Sequence, residues 1–465
     1  MASKHTLDGL IKWSMRDSWA DRFEQILEEH LMPACEETGL ESEDVVATIG
    51  EDLFMSTVWA CAFEDFLTRE FDDGENAIDD YLRRRGWKES ASVRSYMAAL
   101  RNSTMSLHEV SDVIPGTSFR ARDLIRGGEP VLISERSATR SLKPWEHIAA
   151  RVVQVGSKMQ IGGGLLALDH GTTETFIEAL RRFESLGNDE MRQLAEANGD
   201  DFDDAAFPEL SPEESRRAIG PMLTNLWLVD VIDRIQAPRP DLRNADGDEF
   251  VLCEVRYPFA ARIKANDIRA ALMACPEFRP ASATTWDWIS QDNPSTASRA
   301  GERSLTVETW HEDGALVLGS IALKNKALVL SVNSQQRSDL GRTLLSEILG
   351  QRVGQPSVKT ESVEQMASRD VAEPQQLAIR EEELCAIIHD QMDRHYRKVL
   401  DEPVAALRGE TPRAAVKSES GRIRVAEWLK MMENQTAKSG DHNSAMASYS
   451  FSWLWTELGI SELRR

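Results

Sequence analysis

Residues 305–332 read LTVETWHEDGALVLGSIALKNKALVLSV. Three β-prone runs, 305–310, 315–323 and 327–332, are separated only by Glu312-Asp313-Gly314 and Lys324-Asn325-Lys326. Turns that short force antiparallel hairpins. Upstream, residues 250–255 read as a strand, Asn266 or Asp267 caps a helix through Leu272, and Trp286 and Trp288 are packing anchors. Downstream, a helix runs from Ser334 to Leu349 and stops at Gly350. The order β, α, β, β, β, α predicts an α+β layer with an antiparallel meander and helices on one face, not a doubly wound parallel sheet. This α+β domain is assigned to residues 241–353.

Toward the N-terminus the period changes. Leu7, Leu10, Ile11, Phe23, Ile26, Leu27 and Leu31 recur at helical spacing, which predicts an amphipathic helix ending near Pro33. Val58, Trp59, Ala62, Phe63 and Phe66 repeat the pattern, residues 78–85 form a short helix stopped by Gly86, and Ser92 offers the next cap. Residues 1–102 thus read as a helical N-terminal domain. From Val110 the turn signals Pro115-Gly116 and Gly127-Gly128 bracket short strands, so residues 103–172 read as a small antiparallel β module, a barrel or curled sheet. Residues 173–240 form a helical segment, with Pro221 opening its second helix, around an acidic connector: residues 184–214 hold eleven Asp or Glu and one basic residue, Arg192. Residues 354–376 are polar and read as a linker. Residues 377–465 return to helical spacing at Leu384, Ile387, Ile388, Met392, His395 and Val399, then at Val425, Trp428, Leu429 and Met432. The predicted class is a multidomain α+β protein.

The 465 residues carry 54 Lys and Arg against 77 Asp and Glu, a formal charge of −23. Such a field repels a phosphate backbone unless a basic patch is segregated. The longest nearly apolar run, 315–323, is far short of the roughly 18 residues of a membrane span, so no membrane partner is expected. Residues 1–13 include Asp8 and lack the apolar region of a secretory signal, which predicts a cytoplasmic protein. The five cysteines form an odd set without a C-x-x-C pair and read as thiols.

Chemistry-bearing patterns are few. His389 and His395 lie about 240° apart on a helix and cannot share a metal without a helix break, whereas His389 and Asp393 at i, i+4 could; His395, on the apolar stripe, reads as a core histidine. Gly162-Gly163-Gly164 matches no phosphate loop and reads as a bulge or tight turn in a sheet. Asp246, Asp248 and Glu254 resemble a nuclease carboxylate set, but Arg256 stands where a lysine would be needed. Asp200, Asp201, Asp203 and Asp204 lack the central glycine of a calcium loop. With no nucleophile or zinc motif, neither an enzyme activity nor a cofactor or metal is expected. One locally basic stretch stands out. Arg136, Arg140, Lys143 and Arg151, with Arg120, Arg122 and Arg126 nearby, make nucleic-acid binding by the β module the alternative function. That use needs stacking aromatics, for which Phe119 and Trp145 are available. Otherwise these arginines pair with surplus carboxylates.

Residues 395–434 read HYRKVLDEPVAALRGETPRAAVKSESGRIRVAEWLKMMEN, and residues 449–460 read YSFSWLWTELGI. Gly409 permits a tight turn, Thr411 caps a helix with Pro412 at its first position, and Gly421 separates the next helix. This segment resembles the C-terminal toxin-binding domain of Xre/MbcA/ParS-type antitoxins, in a helix leading to Pro403, a Leu407-x-Gly409-x-Thr411-Pro412 element and a final helix with Val425, Trp428 and Leu429. The pairing of this end with a segment like residues 106–153 is similar to that of multidomain bacterial proteins. The resemblance implies a bacterial protein that binds another protein, toxin-like in kind, through Leu407, Gly409, Thr411, Pro412 and Trp428. Residues 1–395 carry no helix-turn-helix pattern of the kind such antitoxins use on DNA, and the aromatic tail is additional. Its Trp453 and Trp455 either pack back on their own domain or serve as interface anchors.

Overall fold

The computed structural model describes residues 7–185, 212–238, 241–291, 304–311, 314–367, 381–438 and 445–464. Most of the acidic connector lies outside these residues, as do the Asp200 to Asp204 carboxylates and the Glu312-Asp313 part of the first expected turn. The chain divides into two units, one of Met1–Ala237 with Leu377–Arg465 and one of Pro238–Gln376. Its architecture is multidomain α+β, with helical N- and C-terminal regions and several sheets.

In the first unit the amphipathic stripe of residues 7–31 is split into two helices, Asp8–Ser14 and Asp17–Glu29, at the point where the stripe is interrupted. Pro33 opens the next helix, Met32–Thr38, because proline fits a first turn whose N–H groups have no helical partner. The cap of helix Ala91–Arg101 is Ser90, whose hydroxyl accepts from Val93 N at 3.2 Å; Ser92 falls inside the helix. Gly86 keeps a right-handed conformation and leads into a short 3-10 turn. Pro221 lies within helix Pro212–Gln236.

The β module is a closed barrel of β1 (Met105–Ile114), β2 (Ser118–Asp123), β3 (Val131–Ser134), β4 (His147–Val155) and β5 (Lys158–Leu168), in the order β1-β2-β3-β5-β4. One pair departs from the antiparallel expectation: β3 and β5 run parallel, with Ile133 opposite Met159. Closure in this order leaves the barrel without a free sheet edge. Val110, Phe119, Ala121, Ile133, Leu142 and Ile148 fill the barrel. Met105 and Leu107 alternate outward on β1 and pack against the helices, so this strand is buried on both faces.

Helix Val58–Thr68 lies on β5 where Gly162, Gly163 and Gly164 stand opposite Arg151, and the β4–β5 register shifts there. The Gly163 N–H donates to the buried Glu64 carboxylate. Next to it, Asp65 accepts from Arg151 Nη2 at 2.5 Å and Arg69 Nη2 at 3.1 Å, with His30 Nε2 at 3.5 Å. Burial alone would raise the Asp65 carboxyl; His30, Arg151 and Arg69 outweigh it and hold the group well below the ordinary carboxylate range.

The second unit is a six-stranded antiparallel sheet, with helices Ala265–Met273 and Gln335–Leu349 packed into its core. β11 (Val317–Lys324) and β12 (Ala327–Val332) form the expected hairpin, with Asn325 and Lys326 both at positive φ as a two-residue hairpin turn requires. The first expected hairpin is shorter than the strand runs suggested. β10 (Ser304–Val307) pairs in parallel with β6 (Asp241–Asn244) in a separate ribbon, and the antiparallel hairpin is confined to its tip, where Trp310 bridges Leu316, Val317 N–H donates to Thr309 O at 2.8 Å and His311 N–H to Ala315 O at 2.9 Å. Residues 354–376, expected to be a linker, include β13 (Ser357–Ser362), which pairs with β7 (Val251–Pro258). Its side chains are mostly exposed, so its pairing is a backbone effect that leaves no apolar signature.

Among the described residues no single helix is long and apolar enough to cross a membrane. The segments Ser42–Ile49 and Glu51–Thr68 are apolar enough only together, and they meet at 98°.

The close approach of helix and barrel makes a prediction. In Gly164→Ala the new Cβ meets Cys61 Sγ at 2.6 Å and its backbone N at 2.9 Å, whereas in Gly163→Ala it meets only Glu64 Oε1 at 3.4 Å. Urea denaturation is expected to show a loss of about 1–3 kcal/mol for Gly164→Ala and a smaller one for Gly163→Ala.

Candidate functional site

The C-terminal module begins with helix Glu381–Val399, along which Met392, Tyr396 and Val399 face the core. His395 is exposed, because Tyr396 takes the apolar stripe in its place. His389 Nε2 lies 2.7 Å from Ala445 O, and Asp393 accepts from the Tyr449 hydroxyl at 2.6 Å; both tie the aromatic tail to this helix. Arg408 and Gly409 turn the chain at positive φ. Thr411 then caps helix Pro412–Ala415, accepting from Ala414 N at 3.2 Å, with Pro412 in the first turn. Gly421 lies in the first turn of helix Glu419–Lys438, where an added Cβ would be 2.7 Å from the Ala415 carbonyl carbon. It permits close packing and does not separate the helices.

The expected partner-binding residues divide into two groups. Leu407, Trp428 and Trp455 are buried in the module core with Leu400, Val425, Leu429 and Phe451. Pro412 is buried too, while Gly409 is exposed and Thr411 half-buried on the outward turn. Trp453 is half-buried, donates to Tyr449 Oη at 2.9 Å and carries the Arg397 guanidinium over its ring. The tail packs back on its own domain.

One side of helix Glu419–Lys438 instead docks on the barrel. Lys430 Nζ contacts Glu109 Oε1 at 3.0 Å and Oε2 at 2.9 Å, with side chains only 1% and 2% exposed. Arg122 Nη2 donates to the same carboxylate at 2.8 Å. Lys430 also lies 5.0 Å from the centre of the Trp145 ring. The Trp145 Nε1–H donates to Glu433 Oε2 at 2.5 Å, and Trp455 Nε1–H donates to Glu433 Oε1 at 2.7 Å. Asn434 donates to Pro144 O at 2.8 Å, and Lys438 pairs with Glu146 at 3.1 Å. Trp145 sits at φ +63°, a left-handed backbone that costs a bulky residue of order 1–3 kcal/mol and persists where its surroundings enforce it. His147, the second residue after it, is buried beside His170, with ring centres 4.1 Å apart. Burial, His170 and Lys430 push the His147 imidazole down to about 3, so it is neutral in the fold.

The basic stretch is dispersed. Arg136 and Arg140 are exposed and Lys143 half-buried beside the docked module. Arg151 is buried, donating to Ser103 O and Asp65. Arg120, Arg122 and Arg126 pair with Asp112, Glu109 and Asp123. Neither stacking candidate is available: Phe119 is inside the barrel and Trp145 lies under the module. The nuclease-like carboxylates also fail to converge. Asp246 accepts from Arg337 Nε at 2.7 Å, Asp248 accepts from Ser334 Oγ at 2.9 Å, and Glu254 lies on the exposed face of β7. Among the described residues no group of three His, Cys, Asp or Glu could hold a metal ion.

Sequence reasoning missed Lys430, Glu433 and Glu109. Glu109 left no clear signal, since β1 reads MSLHEVSDVI and mixes polar with apolar residues along its length. No protein-family model matches the chain, and no curated protein matches it.

Removing Lys430 leaves the buried Glu109 with Arg122 as its remaining cation, so Lys430→Met is expected to lower stability by about 3 kcal/mol, a loss that Glu109→Gln in the same chain reduces. Urea titration followed by tryptophan emission checks this. His147 adds a pH dependence. Its folded value lies below the ordinary 6.5, so the unfolded chain binds the extra proton and stability falls as pH drops from about 6.5 toward 3. His147→Gln is expected to flatten this part of the stability-versus-pH curve by up to one proton, and an unchanged slope would refute the assignment.

Proposed function

We propose that the protein is a non-enzymatic, cytoplasmic bacterial interaction factor, antitoxin-like in its C-terminal module, that binds a partner protein through this module. The observation that carries the reading is the dual use of helix Glu419–Lys438. Its C-terminal half grips a folded β-barrel with a desolvated ion pair, an aromatic anchor and a hydrogen bond to a backbone carbonyl, which is the chemistry of protein recognition. Its first turns extend past those contacts, and Ile423 stays 54% exposed. The adjacent Arg424 reaches Glu410 at 3.4 Å and joins this end of the helix to the turn containing Gly409 and Thr411. Leu407, Pro412, Trp428 and Trp455 support that outward surface from within. The resemblance to toxin-binding domains adds the kind of partner, a toxin-like protein.

The alternative is nucleic-acid binding by the barrel. Its closed five-stranded form and the exposed Arg136 and Arg140 favour it, whereas β2 and β3 present no outward aromatic ring for a base to stack on.

Full-length chain immobilised in a cell extract separates the two. Capture of a protein partner is expected to be lost in Ile423→Asp and kept in Arg136→Glu/Arg140→Glu. Nuclease-sensitive, salt-dependent retention lost only in the arginine variant would reverse the order of the two readings.

A further inference from the structure

A second feature of the first unit belongs to neither reading. Where helix Ala91–Arg101 passes into β1, a cleft of about 260 Å³ opens, and four guanidinium groups line it: Arg101, Arg126, Arg151 and Arg217. They come from four elements: that helix, the turn after β2, β4 and helix Pro212–Gln236. In a chain of net charge −23, the only carboxylate among the described lining residues is Asp65. Asp65 is already held by Arg151 and Arg69.

Each guanidinium has five N–H donors. Arg151 directs Nη1 to Ser103 O at 2.7 Å and Nη2 to Asp65. Arg126 uses Asp123, Thr104 Oγ1 and Met105 O, and Arg101 uses Asp79, Thr68 O and Glu70. These bonds hold the planes of Arg101, Arg126 and Arg151 in place and leave those three groups with further donors, which is how arginine forks are set up for an oxyanion. Asn102 adds a polar side chain to the lining, whose described residues include no aromatic ring.

We infer that this cleft binds a small, compact phosphate-type oxyanion. The volume suits a group the size of pyrophosphate, and the described lining residues offer no ring on which a nucleobase could stack. Planar donors converging from four elements favour an anion with several oxygens over chloride.

Calorimetric titration of the full-length chain at constant ionic strength tests the inference, with inorganic pyrophosphate, glycerol 3-phosphate and a 12-nucleotide single-stranded DNA as probes. Saturable binding of either small phosphate is expected, weakened roughly tenfold in Arg126→Gln and in Arg101→Gln. Tighter binding of pyrophosphate identifies a free polyphosphate as the ligand class, and tighter binding of the ester a phosphorylated metabolite. Arg151→Gln is not used, because it would strand Asp65 in the interior. Two variants at the rim keep the test open should one fail to fold. Absence of saturable binding by both small phosphates, binding of the DNA alone, or wild-type affinity in the folded rim variants would overturn the inference.

Discussion

A carboxylate buried on the outside of a barrel strand needs a cation, and the first unit is organised around meeting that need. Glu109 alternates outward with Met105 and Leu107 on β1, so the pleat that sends two apolar side chains toward the helices also sends an acid away from water. Arg122 supplies one partner from the neighbouring strand, and Lys430 supplies the other from a helix 321 residues away. Such a pair adds little net stability compared with an apolar contact of the same shape, but it penalises every other placement of the module. Trp145 supports the same choice. Its left-handed backbone is retained because Lys430, Glu433 and Trp455 enclose the indole.

The barrel accepts this load because both its faces are used. Its interior is small and apolar, and its exterior is covered by helix Val58–Thr68 on the triple-glycine stretch, by helix Pro212–Gln236 on β1 and β5, and by the C-terminal module beyond Glu109. The surface of β2 and β3 is left with Arg120 and Leu132 outward and no ring to stack on. That lack of a ring weighs against base stacking on this face more directly than the overall charge does.

Local physics made part of this legible in advance. The Lys324-Asn325-Lys326 turn, the Thr411-Pro412 cap and the strand over residues 250–255 each depend on neighbours a few residues away, and each is present. What escaped depends on distant partners. β13 has no apolar face to advertise it, β10 found β6 rather than its neighbour in sequence, and Tyr396 displaced His395 from the core by one position. The docking helix was recognised as amphipathic, yet the role of its lysine could not be read without the acid on β1. Trp428 and Trp455 read equally well as binding anchors and as core residues, because exposure is a property of the assembled unit.

Glu109 and Lys430 belong to one unit, but the whole of the second unit is inserted between them in the chain. On a ribosome the barrel emerges long before its cover. At about 5–20 residues per second, the delay across 321 residues is roughly 15–60 s. During that interval a nascent chain would display a bare acid and an indole to every chaperone and protease nearby, so the lifetime of the newborn protein depends on how fast its last hundred residues arrive.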